Sequence, residues 1–470
     1  MASLCLALLA LGCEQGSGIA PIDVRIVGPD GANPVEGRDG TLHVDVRHLG
    51  ELLTCDGGDC ESEIVDGRFE LVLPVDTFDG ENEIQVRIES GDDRLVGAAP
   101  PFRIFLEGVD VSRSVRVVVA PAPSCATLTL EGFTFGEEPR LSPARAGAAA
   151  VVRRNVALLA GGEDAGGASD DVDSFDQLLF DAGPLRTWEP RTIGRARGHA
   201  LSEDRSLVVG DASSWVFERN DLGQAGAREL SLHAGAGSAS AIADLGSAGA
   251  AVVGGAASIE VAWIGVDGRA AAPSALSVRR DAPAAAAIGS GVLVVGGHAE
   301  GRRRRSGCLA SGDGVALDVA GLPAGRGGVL FPSPDGADAL WIGFEVDGAP
   351  SGEAFVLRGC DRDACEEIEA VEWPRPRSGF ATVVTAAGAL WLMGGERDEG
   401  GVLVPSREVD LVRWAGRAPV IEAGPDLRSA RAGAAAFEHA SGVVVVAGAS
   451  GGRARRRTSR CAFRPRSILS

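Results

Sequence analysis

Residues 144–162 read ARAGAAAVVRRNVALLAGG, and residues 430–448 read ARAGAAAFEHASGVVVVAG. Each stretch opens with a small-residue segment carrying arginine and runs into a hydrophobic segment that ends in glycine. A short apolar run closed by glycine reads as a buried strand followed by a tight turn. The same grammar recurs from Arg197 to Leu207-Val-Val-Gly210, from Arg280 to Leu293-Val-Val-Gly-Gly297, from Arg326 to Leu340-Trp-Ile-Gly343 and from Arg377 to Leu390-Trp-Leu-Met-Gly-Gly395. It also recurs, without the arginine, at Ala251-Val-Val-Gly-Gly255. The first glycines fall at 161, 210, 254, 296, 343, 394 and 448, giving steps of 49, 44, 42, 47, 51 and 54 residues. A period of that size means one strand-rich unit used repeatedly, none of which buries its own apolar faces.

Composition agrees with a globular all-β chain. Of 470 residues 45% are hydrophobic and 23% charged, and the 66 glycines require frequent turns. All the basic residues are Arg, and there is no Tyr. We read this as the codon bias of a GC-rich genome, which warns against assigning a purpose to every arginine. The net charge of −20 sets the summed field against phosphate backbones and anionic lipid surfaces, so nucleic acid is not an expected partner.

After the glycines, several units continue with an apolar strand and a tryptophan: Gln177-Leu-Leu-Phe180 to Trp188, Val261-Ala-Trp-Ile264, Ala354-Phe-Val-Leu357 to Trp373, and Val409-Asp-Leu-Val412 to Trp414. On these residues the chain resembles the kelch family, whose blades carry a Gly-Gly doublet after the second strand and an aromatic pair further on. The resemblance spans residues 125 to 465. It departs from the family where the doublet becomes a single glycine, at Gly210, Gly343 and Gly448, and in having no Tyr. It implies a kelch-like β-propeller over residues 124–470 with seven blades. Such rings commonly close by pairing a strand from one end of the chain with the last blade. Cys125-Ala-Thr-Leu-Thr-Leu130 is the strand expected there, next to Cys461, and a Cys125–Cys461 disulfide is expected to lock the ring. Copper-radical chemistry known on this fold needs tyrosines, which this chain lacks.

Between Ile22 and Pro123, short runs alternate apolar and polar residues, among them Ile22-Asp-Val-Arg-Ile-Val27, Leu42-His-Val-Asp-Val46 and Ile84-Gln-Val-Arg-Ile88. Period two marks half-buried strands, and six or seven of them in about 100 residues predict an Ig-like β-sandwich over 21–123. Residues 1–20 read as a signal and tether. The apolar run Leu4 to Leu11 is too short to span a bilayer. With Leu9-Ala10-Leu11-Gly12-Cys13, it resembles the end of a bacterial lipoprotein signal. That resemblance implies cleavage before Cys13, lipidation of Cys13, and export to the outer membrane or cell surface.

An exported chain keeps disulfides. Cys55-Asp-Gly-Gly-Asp-Cys60 and Cys360-Asp-Arg-Asp-Ala-Cys365 each enclose turn formers, so each pair is expected to staple its own hairpin. Neither pair has the further ligands that zinc needs. Cys125, Cys308 and Cys461 remain, an odd count that leaves at least one thiol free or paired between chains.

The six histidines, His43, His48, His199, His233, His298 and His439, show no ligand spacing outside the N-terminal strands. Carboxylates gather at Glu163-Asp164 and Asp170 to Asp176, but they do not follow a calcium loop, and solvation is the expected state. No metal, cofactor or catalytic residue is expected. The loops after the glycines would share one rim of a propeller, bringing together the acidic loop at 163–176, Glu396-Arg-Asp-Glu399, Arg302, Arg303, Arg304 and Arg305, and the arginines at 453–457. A mixed-charge rim of this kind predicts a monomeric binding or scaffolding module for protein or polysaccharide at the cell surface, touching membrane only through its lipid anchor. A secreted carbohydrate-active enzyme working at the channel mouth is the alternative.

Overall fold

In a computed structural model of the chain, strands are described from residue 19 to residue 462, and side chains from residue 145 to residue 438 apart from 298–323 and several shorter segments. Apart from a 3-10 turn at Gly246–Ala248, every regular element among the described residues is a strand.

Downstream of the first hundred residues the same four-strand meander recurs. The first sheet comprises Ala149–Arg153, Val156–Ala160, Val172–Asp176 and Asp181–Pro184, paired antiparallel in that order. The second, third, fourth, fifth and sixth sheets are opened by Ala196–Ser202, Ala241–Asp244, Ala284–Ile288, Arg326–Pro332 and Ala381–Val384. A seventh sheet, Ala435–Glu438, Val444–Ala447 and Thr458–Ala462, takes its fourth strand from far upstream, Ser124–Leu128. In that last pairing Cys125 stands directly opposite Cys461.

The opening strands lie side by side from the first sheet through the fifth, and the opening strand of the sixth lies beside that of the seventh. The succession returns on itself, because Ala435–Glu438 also lies against Ala149–Arg153, with Phe175 and Phe437 6.0 Å apart at the junction. Between the fifth and sixth sheets the link is an apolar core of Phe331, Leu340, Ile342, Leu390, Leu392 and Val412. This is a propeller-like arrangement. Its blades with side chains described across at least three strands are five, the first, second, third, fifth and sixth sheets; the fourth and seventh repeat the strand order.

Stacking explains the sequence pattern. A second strand covered by a neighbouring sheet on each face must be apolar on both, so Leu207 to Val209, Ala250 to Val253, Val292 to Val295 and Leu340 to Ile342 are all 0% exposed. Fourth strands sit at the periphery and are largely open to solvent, as in Cys365–Glu372, where most positions are exposed. The doublet glycines end the second strand with two successive left-handed residues, φ 65° and 101° at Gly161 and Gly162. A Cβ on Gly161 would fall 2.4 Å from the Gly194 carbonyl oxygen of the next sheet's entry, so a larger residue would push the neighbouring blade away. At the single-glycine repeat of the fifth sheet, the second strand instead runs on through Gly343 to Val346.

Polar clasps supplement the apolar contact. Asp338, 1% exposed in the fifth sheet, accepts two hydrogen bonds of 2.9 Å from Arg417 in the outer hairpin of the sixth. Those bonds, with Arg358 3.6 Å away, hold its carboxyl below the usual carboxylate range. Cys360 and Cys365 form the expected hairpin staple, Cα atoms 3.8 Å apart across the pairing of the fifth sheet's outer strands.

Upstream, Ile19–Val27 pairs antiparallel with Arg68–Pro74 and parallel with Val115–Val118, while Gly40–His48, Glu81–Ser90 and Leu95–Phe105 form the spine of a second sheet. The strand positions match the alternating segments of the sequence.

Candidate functional site

Three sheets carry an extra two-stranded ribbon between their second and third strands: Glu163–Asp164 with Gly167–Ala168, His298–Ala299 with Arg302–Arg303, and Glu396–Asp398 with Leu403–Pro405. Each ribbon leaves directly after a glycine doublet. Two of them are anchored by an isolated bridge to the segment that enters their own sheet, Ala146 to Glu163 and Ser378 to Glu396. Because every sheet runs the same up-and-down course, connections from second to third strand emerge at one end of the meander, and the ribbons form a rim there.

Among the described residues, charges of the first and third ribbons engage neighbouring groups. Glu163 pairs with Arg195 at 2.7 Å, and Arg397 pairs with Glu399 and lies 3.8 Å from Glu408. The tip of the third ribbon differs, since Val402 is 62% and Leu403 39% exposed beside Arg397, Asp398 and Glu399. An apolar tip with a charged border is the composition of a small protein-contact patch. Arg302 and Arg303 occupy the outgoing strand of the second ribbon; Arg304, Arg305 and the arginines at 453–457 lie outside the described residues.

At the inner edge, the opening strands are mostly Ala, Val and Gly, but the second and third sheets meet at Arg197, His199 and Asp244. Arg197 donates to the Ser238 carbonyl at 2.7 Å, and His199 Nε2 lies 3.6 Å from an Asp244 carboxylate oxygen, too far for a hydrogen bond. The Arg197 side chain is exposed on this edge. Burial holds the His199 imidazole below its ordinary value, and Asp244 pulls it back only in part.

Arginines that open the repeats turn out to be structural. Arg145, Arg280, Arg377 and Arg431 are 6%, 0%, 0% and 0% exposed, whereas Arg197 and Arg326 fall within their opening strands and are exposed. Arg377 donates to the Gly394 and Leu392 carbonyls at 2.8 and 2.9 Å and to Asp410 at 2.6 Å. Asp410 also accepts from Trp373 at 3.0 Å and from Arg375, and the Arg377 guanidinium stands 5.3 Å from the Trp373 ring centroid. Burial is the main pull on Arg377 and lowers its pKa despite these carboxylates. Arg145 repeats the arrangement, with Leu159 O at 3.2 Å and Asp173 at 2.6 Å.

Asp173 therefore belongs to a buried ion pair inside a strand, 1% exposed, rather than to a solvated acidic loop. Asp164 caps the Gly166 amide at 2.6 Å. Among the described residues no group of three His, Cys, Asp or Glu is placed to hold a metal ion. His233 lies 2.7 Å from the Gly254 carbonyl, and His298 sits in the second ribbon. Cys13, Cys55 and His439 lie outside the described residues, and His43, His48, Cys60, Cys125, Cys308 and Cys461 are described in backbone alone.

No family model and no curated protein sequence matches this chain. Among solved structures it is similar to one titled "Structure of YjhT", at 12% identity and a TM-score of 0.41, over 60% of this chain and 99% of that one.

Two outcomes follow from these geometries. Asp410→Ala leaves the fully buried Arg377 without its carboxylate and is expected to cost about 3–5 kcal/mol in denaturant unfolding; a loss under about 1 kcal/mol would remove the ion pair from the account. His199, held neutral in the fold, lets the unfolded chain take the proton first as pH drops below about 6.5. Stability is thus complete above that value and declines on the acid side. His199→Gln is expected to flatten the decline in a melting series from pH 7 to pH 5, and parallel wild-type and variant curves would refute the assignment.

Proposed function

We propose that this chain is a cell-envelope lipoprotein whose ribbon rim binds a protein partner. The observation that carries this reading is the exposed Val402–Leu403 tip of the third ribbon, bordered by charges of which Arg397 and Glu399 are paired with each other. Apolar side chains held in solvent at the end of a rigid ribbon are stabilised by whatever covers them, and the charged border supplies selectivity. The finer reading is a kelch-like ring of seven blades, supported by the recurring strand order and by the contact of the first and last opening strands. An Ig-like sandwich over residues 21–123 is supported by the two separate sheets there, one of them combining antiparallel and parallel pairings. This module would act as the spacer between ring and membrane, with Cys13 as the lipidated residue. Polysaccharide remains the alternative ligand class of the same rim. Small residues along the opening strands favour a packed axis over a catalytic pocket, which supports binding over carbohydrate chemistry.

The test uses full-length protein in its native envelope. Capture with the unaltered chain is expected to retain a partner that Val402→Asp combined with Leu403→Asp loses, while Cys13→Ala shifts the chain from the membrane to the soluble fraction. Identical captures from both chains would refute the rim reading, and unchanged fractionation would refute the anchor.

A further inference from the structure

The outer hairpin of the fifth sheet has a missing rung. Glu353–Cys360 pairs with Cys365–Glu372 in continuous register from Glu353 and Glu372 to Arg358 and Glu367, skips Gly359 and Glu366, and closes again at Cys360 and Cys365, where the disulfide lies. Gly359 stands in the left-handed region, with φ 54°, and its amide donates to Asp338 Oδ1 at 3.3 Å. Asp338 is the carboxylate that clasps the sixth sheet. Its Oδ2 and Oδ1 accept from Arg417 Nε and Nη2, each at 2.9 Å, while Arg358 stands 3.6 Å away and donates to the Arg417 carbonyl. The tip of a disulfide-closed hairpin and the junction between two sheets therefore share one carboxylate.

We propose that Cys360–Cys365 is a redox latch on this junction: the closed disulfide keeps the Gly359 amide on Asp338, and reduction to two thiols releases that amide and weakens the clasp on Arg417. A dithiol reductant supplies the two electrons and two protons, leaving Cys360 and Cys365 as thiols and the reductant as its own disulfide. Among the described residues, Cys360 and Cys365 are the sole register pair beyond the gap, so the S–S bond rather than a run of ladder bonds fixes where Gly359 points. Freed of that restraint, a glycine regains the backbone entropy that it loses most heavily on ordering. A 3.3 Å contact lies at the long end of amide hydrogen bonds and holds it weakly. Both cysteines are half-buried on the outer hairpin, not sealed in the core. The charged groups around Asp338 are Arg358 from the third strand, Arg417 from the sixth sheet, Asp335 from the preceding turn, and Glu366, Glu367 and Glu369 from the fourth strand. Glu367 and Glu369 engage Arg358 at 3.3 and 2.8 Å, which leaves Arg417 as the main counter-charge of Asp338.

The Asp338 carboxyl reports the latch directly. Two or three backbone N–H bonds lower a carboxyl by roughly two units, so losing the Gly359 amide is expected to raise Asp338 by about 0.5–1 unit. Carboxyl carbon titration of the full-length protein, oxidised and then treated with a small dithiol, reads that shift, with Asp338→Asn identifying the resonance. Coupling is reciprocal, so Asp338→Asn is expected to let Cys360–Cys365 open at an about 3- to 10-fold lower dithiol excess, followed by alkylation and peptide mapping. Val252→Ala, which loosens the core of the third sheet, is the control and is expected to leave that ratio unchanged. An Asp338 titration that coincides in the two redox forms overturns the latch. Equal shifts of the ratio in Asp338→Asn and Val252→Ala overturn it too, because reduction would then report general stability, as it also would if it simply unfolded the chain.

Discussion

A four-stranded sheet with two apolar faces has no stable existence in water until both faces are covered. Every other feature of this chain answers that constraint. The second strands are buried to 0% on both sides, so each sheet depends on its neighbours for most of its hydrophobic stabilisation. A linear stack would leave two raw faces at its ends. The contact of Ala435–Glu438 with Ala149–Arg153 removes them, and Ser124–Leu128 supplies the outer strand that the last sheet would otherwise lack.

Close stacking creates a second problem, which the buried arginines solve. Where a second strand approaches its glycine doublet, carbonyls there take donors from side chains as well. Arg145 and Arg377 supply them and are themselves neutralised by an aspartate from the third strand. The rim ribbons of the first and sixth sheets spring from the same corner, so the ion pair fixes the base of each ribbon. Asp338 and Arg417 play a comparable part between the fifth and sixth sheets at the periphery.

Repeat spacing, the glycine doublets and the Cys360–Cys365 staple were legible because each is written in residues close together in the chain. What escaped is written at a distance. Asp173 lies 28 residues from Arg145, and Asp410 lies 33 from Arg377, with nothing local to join them, so Asp173 read as one carboxylate in an acidic loop. The register of the third strand against the second is what brings them together, and register becomes visible only in the folded sheet. The ribbons escaped for a related reason: Glu163–Asp164 and Glu396–Asp398 are too short to show periodicity. Opening arginines were only partly diagnostic, since Arg197 and Arg326 share the sequence position but sit inside exposed stretches of their strands. One signal was available in hindsight, an aspartate at the second position of an apolar third strand, in Val172-Asp-Ser-Phe175 and Val409-Asp-Leu-Val412 alike.

Ring closure by two segments more than 300 residues apart is the claim on which the rest stands, and it places Cys125 and Cys461 on adjacent strands in direct register. Digestion of the oxidised, full-length protein without reductant, followed by mass spectrometry, tests it most directly. The account predicts a single cross-linked peptide joining the Cys125 and Cys461 segments, lost on reduction. Recovery of Cys125 and Cys461 in separate peptides, each bonded elsewhere, would contradict it.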